Sequence, residues 1–165
     1  MDIAPKLFET VQMEFKRKFE KDGTIKKLYD KIGKGSATYK EAHEFAIKTG
    51  EILSEVFDQT LSSAVLPDGR MYYNIAERVI GPMLKGNYDI VSEAAAEIQK
   101  QLNEKAGIGI KAIRPEFNQD KAKGIIDIIS ERENYDEIAY MLREPIINFT
   151  QAIVDDAVRA MLFSE

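Results

Sequence analysis

Apolar residues recur every three or four positions along most of this chain, and this spacing constrains the fold more than any other feature. Near the N-terminus, Leu7, Val11, Phe15 and Phe19 repeat at four-residue spacing. Side chains three and four residues apart lie on the same side of an α-helix, so the pattern is that of a helix with one apolar face. It predicts a helix over residues 3–21.

Later stretches show the same period. The further predicted helices cover residues 25–32, 38–65, 71–85, 90–105, 119–132 and 135–143, followed by a last helix with Pro145 in its first turn. The longest of them, 38–65, carries Gly50 on or near its apolar stripe. A glycine inside a helix costs about 1 kcal/mol relative to alanine, so we expect a neighbouring helix to pack closely there.

Residues suited to helix N-termini precede several of these segments. Thr24, Asp89 and Asn118 are predicted N-caps, because a short polar side chain can accept a hydrogen bond from a free backbone N–H. Thr38 has Glu41 three residues later, which is the spacing of a capping box.

Glycine and proline mark the predicted helix ends. The sharpest turn is predicted at 67–69, Pro-Asp-Gly, and Gly81-Pro82 is expected to kink or break the helix 71–85. Segment 107–115 breaks the helical period, and because it has no partner strand we expect an ordered loop on the helices. Together these patterns predict an all-α fold, an irregular bundle of six to eight helices in a single domain over residues 1–165.

Composition limits the classes of function. The chain has 165 residues, no cysteine and one histidine, which excludes disulfides and thiolate zinc sites. It has no apolar run near the roughly 18 residues of a membrane span, and its N-terminus lacks the pattern of a signal peptide. We therefore expect a protein that is made and kept in a cytoplasm and has no membrane partner.

The charge is unevenly distributed. Residues 1–48 carry 11 basic and 8 acidic side chains, whereas 49–165 carry 12 and 20, giving net charges of +3 and −8. The basic excess makes the N-terminal helices a candidate nucleic-acid surface, and the candidate contact residues are Lys16, Arg17, Lys26 and Lys27. A solvated helix face with interleaved acidic residues is the favoured interpretation, since the acidic whole opposes strong duplex binding.

One group of residues invites a more specific interpretation. Arg70, Tyr72 and Tyr73 are candidate protein-interface residues, because tyrosine and arginine are enriched at interfaces. The competing interpretation places one tyrosine in the core and the other on the surface.

Reactive chemistry has little support in the sequence. Glu41, His43 and Glu44 lie close together, but His43 does not share a helix face with the two glutamates, so a metal site is the weaker hypothesis. Asp155 and Arg159, four residues apart, are expected to pair on a helix surface. No nucleophile–base pair or nucleotide-binding loop is present, so we expect no cofactor and no enzymatic activity.

Six segments together resemble one family. They are 1–5 (MDIAP), 37–53 with Ala-Thr-Tyr-Lys at its start and Thr-Gly-Glu-Ile-Leu at its end, 66–79 (LPDGRMYYNIAERV), 105–112 (KAGIGIKA), 144–149 (EPIINF) and 153–159 (IVDDAVR). In order, these segments resemble the N-terminal region of minor capsid, or head morphogenesis, proteins of tailed phages and prophages of Gram-positive bacteria, of the Mu F-like type.

The resemblance implies a low-copy virion component that associates with the portal or major capsid protein during head assembly in the host cytoplasm. Homo-oligomers and weak nucleic-acid contacts are compatible with it. In that family a region bearing cysteine and histidine follows the helix that contains Asp155 and Asp156. The sequence instead ends at Glu165, which suggests a truncated product or an isolated domain, and the resemblance carries no catalytic residue onto this chain.

Overall fold

A computed structural model describes residues 4–34, 38–61, 76–106, 116–130 and 135–163, and all regular structure in these ranges is helical. The elements are α1 (Ala4–Lys21), α2 (Gly23–Gly33), α3 (Tyr39–Leu61), a π-helical turn (Ala76–Ile80), α4 (Gly81–Ala106), α5 (Gln119–Ser130) and α6 (Tyr135–Phe163). The prediction of an all-α fold is confirmed. The predicted turn at 67–69, the candidate interface residues Arg70, Tyr72 and Tyr73, and segment 107–115 lie outside the described residues.

Helix α3 is the centre of the bundle. It packs against α1, α2, α4 and most extensively against α6. The apolar stripe read from its sequence is buried, with Phe45, Leu53, Val56 and Phe57 fully inaccessible to solvent. Buried side chains from the π turn and all six α-helices form one hydrophobic cluster. Burying each of these large side chains favours folding by roughly 1.5–3 kcal/mol before conformational entropy is subtracted.

The close packing expected at Gly50 is confirmed, and its partner is α6. A Cβ atom at position 50 would lie 2.6 Å from Thr150 Oγ1 and 3.2 Å from Ile147 Cα. Glycine is therefore needed here because the two helix backbones approach too closely for a side chain.

The predicted caps are confirmed at Thr38 and Asn118 and wrong at Thr24 and Asp89, the latter because Asp89 lies inside a continuous helix. Thr38 and Glu41 form the capping box, in which the Glu41 N–H donates to Thr38 Oγ1 and the Thr38 N–H donates to Glu41 Oε1, both at 3.2 Å. Asn118 Oδ1 accepts from the Lys121 N–H at 3.0 Å. At α2, Asp22 rather than Thr24 is the N-cap, because Asp22 has an extended backbone and its carboxylate accepts from the Ile25 N–H.

The predicted break between two helices near residues 86–89 is wrong. α4 runs without interruption through Gly86 and Asp89, and Asp89 pairs within the helix with Lys85 at 3.3 Å. Pro82 stands in the first turn of α4, directly after the π-helical turn. The residues of this stretch that are buried are Val79, Ile80, Met83, Leu84, Asn87, Tyr88 and Val91. Burial on both sides of Gly86 outweighs the roughly 1 kcal/mol cost of that glycine.

The break predicted before Pro145 is also wrong. α6 continues from Tyr135 to Phe163 with Pro145 inside it. An interior proline costs about 3 kcal/mol, because it removes a helical hydrogen bond and crowds the preceding turn. Leu142, Ile146 and Phe149 are buried on either side of it, and this burial holds the helix together.

Candidate functional site

One face of α4 forms the floor of a two-lobed groove, here called the α4 groove. The first lobe has a volume of about 390 Å³ and lies between α4 and α1, with Met13 and Lys16 on the α1 side. The second lobe, about 340 Å³, lies between α4 and α2, with Tyr29 on the α2 side. Ile90 lines both lobes, so the two cavities adjoin at this residue along one face of α4. Volumes of this size are within the range of specific binding sites.

The rims of the α4 groove carry exposed apolar side chains. Within the described ranges three large apolar residues are exposed, Met13 at 64%, Tyr29 at 50% and Tyr39 at 42%, and the first two line the groove. Each lobe therefore has one exposed large apolar side chain beside it, Met13 at the first and Tyr29 at the second. Tyr29 is held in place by its ring contacts with Phe19 and Phe45, at centroid distances of 6.2 and 6.1 Å.

A buried amide lies in the first lobe. Asn87 is 2% exposed, and its Nδ2 and Oδ1 atoms find no hydrogen-bond partner among the described residues. A buried polar group without a partner costs about 1–3 kcal/mol. This cost is removed when an external group or a water molecule enters the groove and pairs with the amide.

The two lobes differ in charge. Lys16 lines the first lobe, whereas Glu93 and Glu97 line the second. The groove is thus basic at one end and acidic at the other, which orients any partner that carries charges of both signs.

The four candidate nucleic-acid residues are all exposed on α1 and α2, but they differ in what surrounds them. Arg17 donates to Glu14 Oε2 at 2.9 Å. This hydrogen bond lowers the pKa of Glu14 and raises that of Arg17, so the pair is ionised and locally neutral. Lys16 lines the α4 groove, while Lys26 and Lys27 lie on the exposed side of α2.

Glu41 and His43, two of the residues considered as metal ligands, each face a different partner. Glu41 Oε2 accepts from Lys31 Nζ at 2.6 Å, and hydrogen bonds from Lys31 and then from the Thr38 backbone lower the pKa of Glu41. His43 Nε2 instead faces Asp155 Oδ1 on α6 at 3.5 Å. In the part of the chain that the structure describes, no three acidic or histidine side chains converge as metal ligands would.

Asp155 belongs to a polar cluster that joins the start of α3 to α6. The Tyr39 hydroxyl donates to Asp155 Oδ1 at 2.5 Å, and the Tyr39 and His43 rings lie 5.8 Å apart. The predicted partner, Arg159, has its side chain outside the described residues. The cluster is half exposed and contains no nucleophile beside a base, so its geometry suits a tie between helices.

Comparison of the chain with protein-family models, with curated proteins and with solved structures found no significant match. Among the described helices, none combines the length and apolarity that crossing a bilayer requires.

Proposed function

We propose that this chain is a structural or assembly component of a phage or prophage head, and that it acts through protein–protein contacts rather than by catalysis. The observation that carries the proposal is the α4 groove, a concave surface with exposed Met13 and Tyr29 at its rims. Exposed apolar side chains around a concavity are typical of a surface that another protein buries. The six segments that resemble head morphogenesis proteins support the same function.

The proposed partners are the portal protein and the major capsid protein, with self-association as a further mode. The proposed locations are the host cytoplasm during assembly and the virion afterwards. A groove on a helical domain suits this role, because helix surfaces present side chains for packing and leave few backbone groups for other contacts.

The direct test is coexpression with the portal and major capsid proteins of the same phage or prophage, followed by sedimentation of the assembled heads. The chain should sediment with heads or with isolated portal rings. Met13→Glu should weaken this association, because it places a charge on the apolar rim. Lys123→Glu, an exposed change on α5, should leave it intact. Absence of the wild-type chain from both heads and portal rings would count decisively against the proposal.

A nucleic-acid-associating module is the second candidate, because Lys16, Lys26 and Lys27 are all exposed on the N-terminal helices. Under the first proposal, binding to double-stranded DNA near physiological salt should be negligible. Under the second, affinity should fall steeply with salt, with a log–log slope of roughly −0.9 for each phosphate contacted. Replacing Lys26 and Lys27 by alanine would then reduce that slope by about two.

A further inference from the structure

The floor of the α4 groove has a definite length. It follows one stripe of α4 at helical spacing, with Met83 at one end, Ile90 in the middle and Glu97 at the other end. The 14 residue steps from 83 to 97 span about 21 Å at 1.5 Å per residue. A partner element that fills both lobes is therefore about four helical turns long.

The groove offers side chains for packing and no free backbone edge. Its walls and floor belong to α1, α2 and α4, whose interior backbone groups are engaged in helical hydrogen bonds. An added strand needs an open sheet edge, whereas a helix docks by inserting its side chains between those of its neighbours. Gly86 and Ala94 are small residues on the floor, and they let the axis of a docked helix come close.

The charges at the two ends specify the partner's polarity. The end beside Lys16 favours an acidic side chain, and the end beside Glu93 and Glu97 favours a basic one. Partly desolvated pairs of this kind select orientation and register more than they add affinity.

Asn87 specifies one polar position on an otherwise apolar partner. Its amide offers both a donor and an acceptor, so a side-chain amide or hydroxyl on the partner suits it best. The amide atoms are closed to solvent in the free chain, so a docking helix has to open this part of the first lobe to reach them. A single buried polar pair within an apolar helix interface is a known means of fixing register.

We infer that the α4 groove binds an amphipathic helix of a partner protein, about four turns long, with its acidic end at Lys16, its basic end at Glu93 and Glu97, and one polar side chain at Asn87. This inference rests on the proposed function, of which it describes the contact. In a head, the helix would belong to the portal or major capsid protein.

The test uses the full chain and needs no head protein. A display library of helices about 16 residues long, with randomised positions along one face, is selected against the chain. Selected helices should carry apolar residues at i, i+3, i+4 and i+7, opposite charges at their two ends and a polar residue in the central turns. They should also compete with one another for one site.

Two glycines provide a matched pair of variants. Gly86 and Gly124 are both exposed within helices, and a Cβ at either position would meet nothing within 4 Å, but only Gly86 lines the groove. Gly86→Gln should lower the affinity of the chain for the selected helices at least roughly tenfold. Gly124→Gln should leave this affinity unchanged. Circular dichroism and thermal unfolding should show that both variants fold, and Met13→Glu provides a second groove variant.

The outcomes separate this inference from the proposed function. Selection of no helix, or of helices that bind Gly86→Gln and Met13→Glu as tightly as the wild type, would overturn the inference even if the chain sediments with heads. If the selected helices meet every expectation but the chain never associates with head proteins, the inferred ligand of the groove would be upheld. The head-assembly role would then be overturned.

Discussion

The contact between α3 and α6 at Gly50 allows a quantitative test of the fold. In an open helical position, Gly→Ala stabilises a protein by up to about 1 kcal/mol. At position 50 the added methyl group would lie 2.6 Å from Thr150 Oγ1, well inside van der Waals contact. Thr150 is fully buried, and its hydroxyl donates to the Ile147 carbonyl at 2.9 Å. Moving it aside would break that hydrogen bond at a cost of about 1–3 kcal/mol.

Rotation of Thr150 does not remove the whole clash. The methyl group would still lie 3.2 Å from Ile147 Cα, which is backbone and can move only with α6. Overpacking of this kind typically costs 1–3 kcal/mol. After subtracting the gain in helix propensity, we expect Gly50→Ala to lower the free energy of unfolding by about 2 kcal/mol and Tm by roughly 4–8 °C.

Urea unfolding followed by circular dichroism measures this difference, with Gly124→Ala as the control for helix propensity. Thr150→Ala supplies the second arm of a double-mutant cycle. In that background Gly50→Ala should be much less costly, with a coupling free energy of at least about 1 kcal/mol. The reasoning is refuted if Gly50→Ala stabilises the chain as Gly124→Ala does, or if its cost is the same with and without the Thr150 side chain.

Three further predictions concern the start of α3. Thr38→Ala should lower the free energy of unfolding by about 1 kcal/mol, measured by urea unfolding, because it removes the N-cap; no loss would contradict the capping box. The pKa of Glu41 is lowered from 4.5, chiefly by the hydrogen bond from Lys31, so its carboxylate contributes stability that is fully present above about that pH and lost as the pH falls through the lowered value. Stability measured between about pH 3 and 7 should therefore fall less steeply on acidification in Glu41→Gln than in the wild type, and equal slopes would contradict this. Tyr39→Phe should cost about 0.5–1 kcal/mol by removing the hydrogen bond to Asp155, and it should cost less in an Asp155→Ala background.

Short-range features could be predicted from the sequence because the interacting residues are neighbours in the chain. The capping box of Thr38 and Glu41 and the Asn118 cap involve residues three positions apart, and the apolar stripe of α3 follows from helical period alone. Gly50 could be recognised as a close-packing site because a glycine on an apolar stripe needs a structural reason. Its partner, Thr150, could not be identified, since nothing in a single sequence shows which helix approaches.

The two wrongly predicted helix breaks share one physical cause. Gly86-Asn87 and Pro145 carry local signals for a helix end, yet α4 and α6 pass through them because burial on both sides outweighs the local cost. The tie between Tyr39 and Asp155 spans 116 positions and has no local signature. One signal for the α4 groove was available: Met13 lies off the α1 stripe of Leu7, Val11, Phe15 and Phe19, so it is an apolar residue on the polar side.

The continuity of α4 has a consequence for how the chain discriminates among partners. Residues of one unbroken helix line both lobes of the α4 groove, so the rise of that helix fixes the distance between the lobes. One residue inserted midway into a bound helix rotates everything beyond it by about 100° and turns the distal anchors away from their lobe. A helix bound as we infer should therefore tolerate exchange of one apolar side chain for another far better than a change in the length of the docking segment.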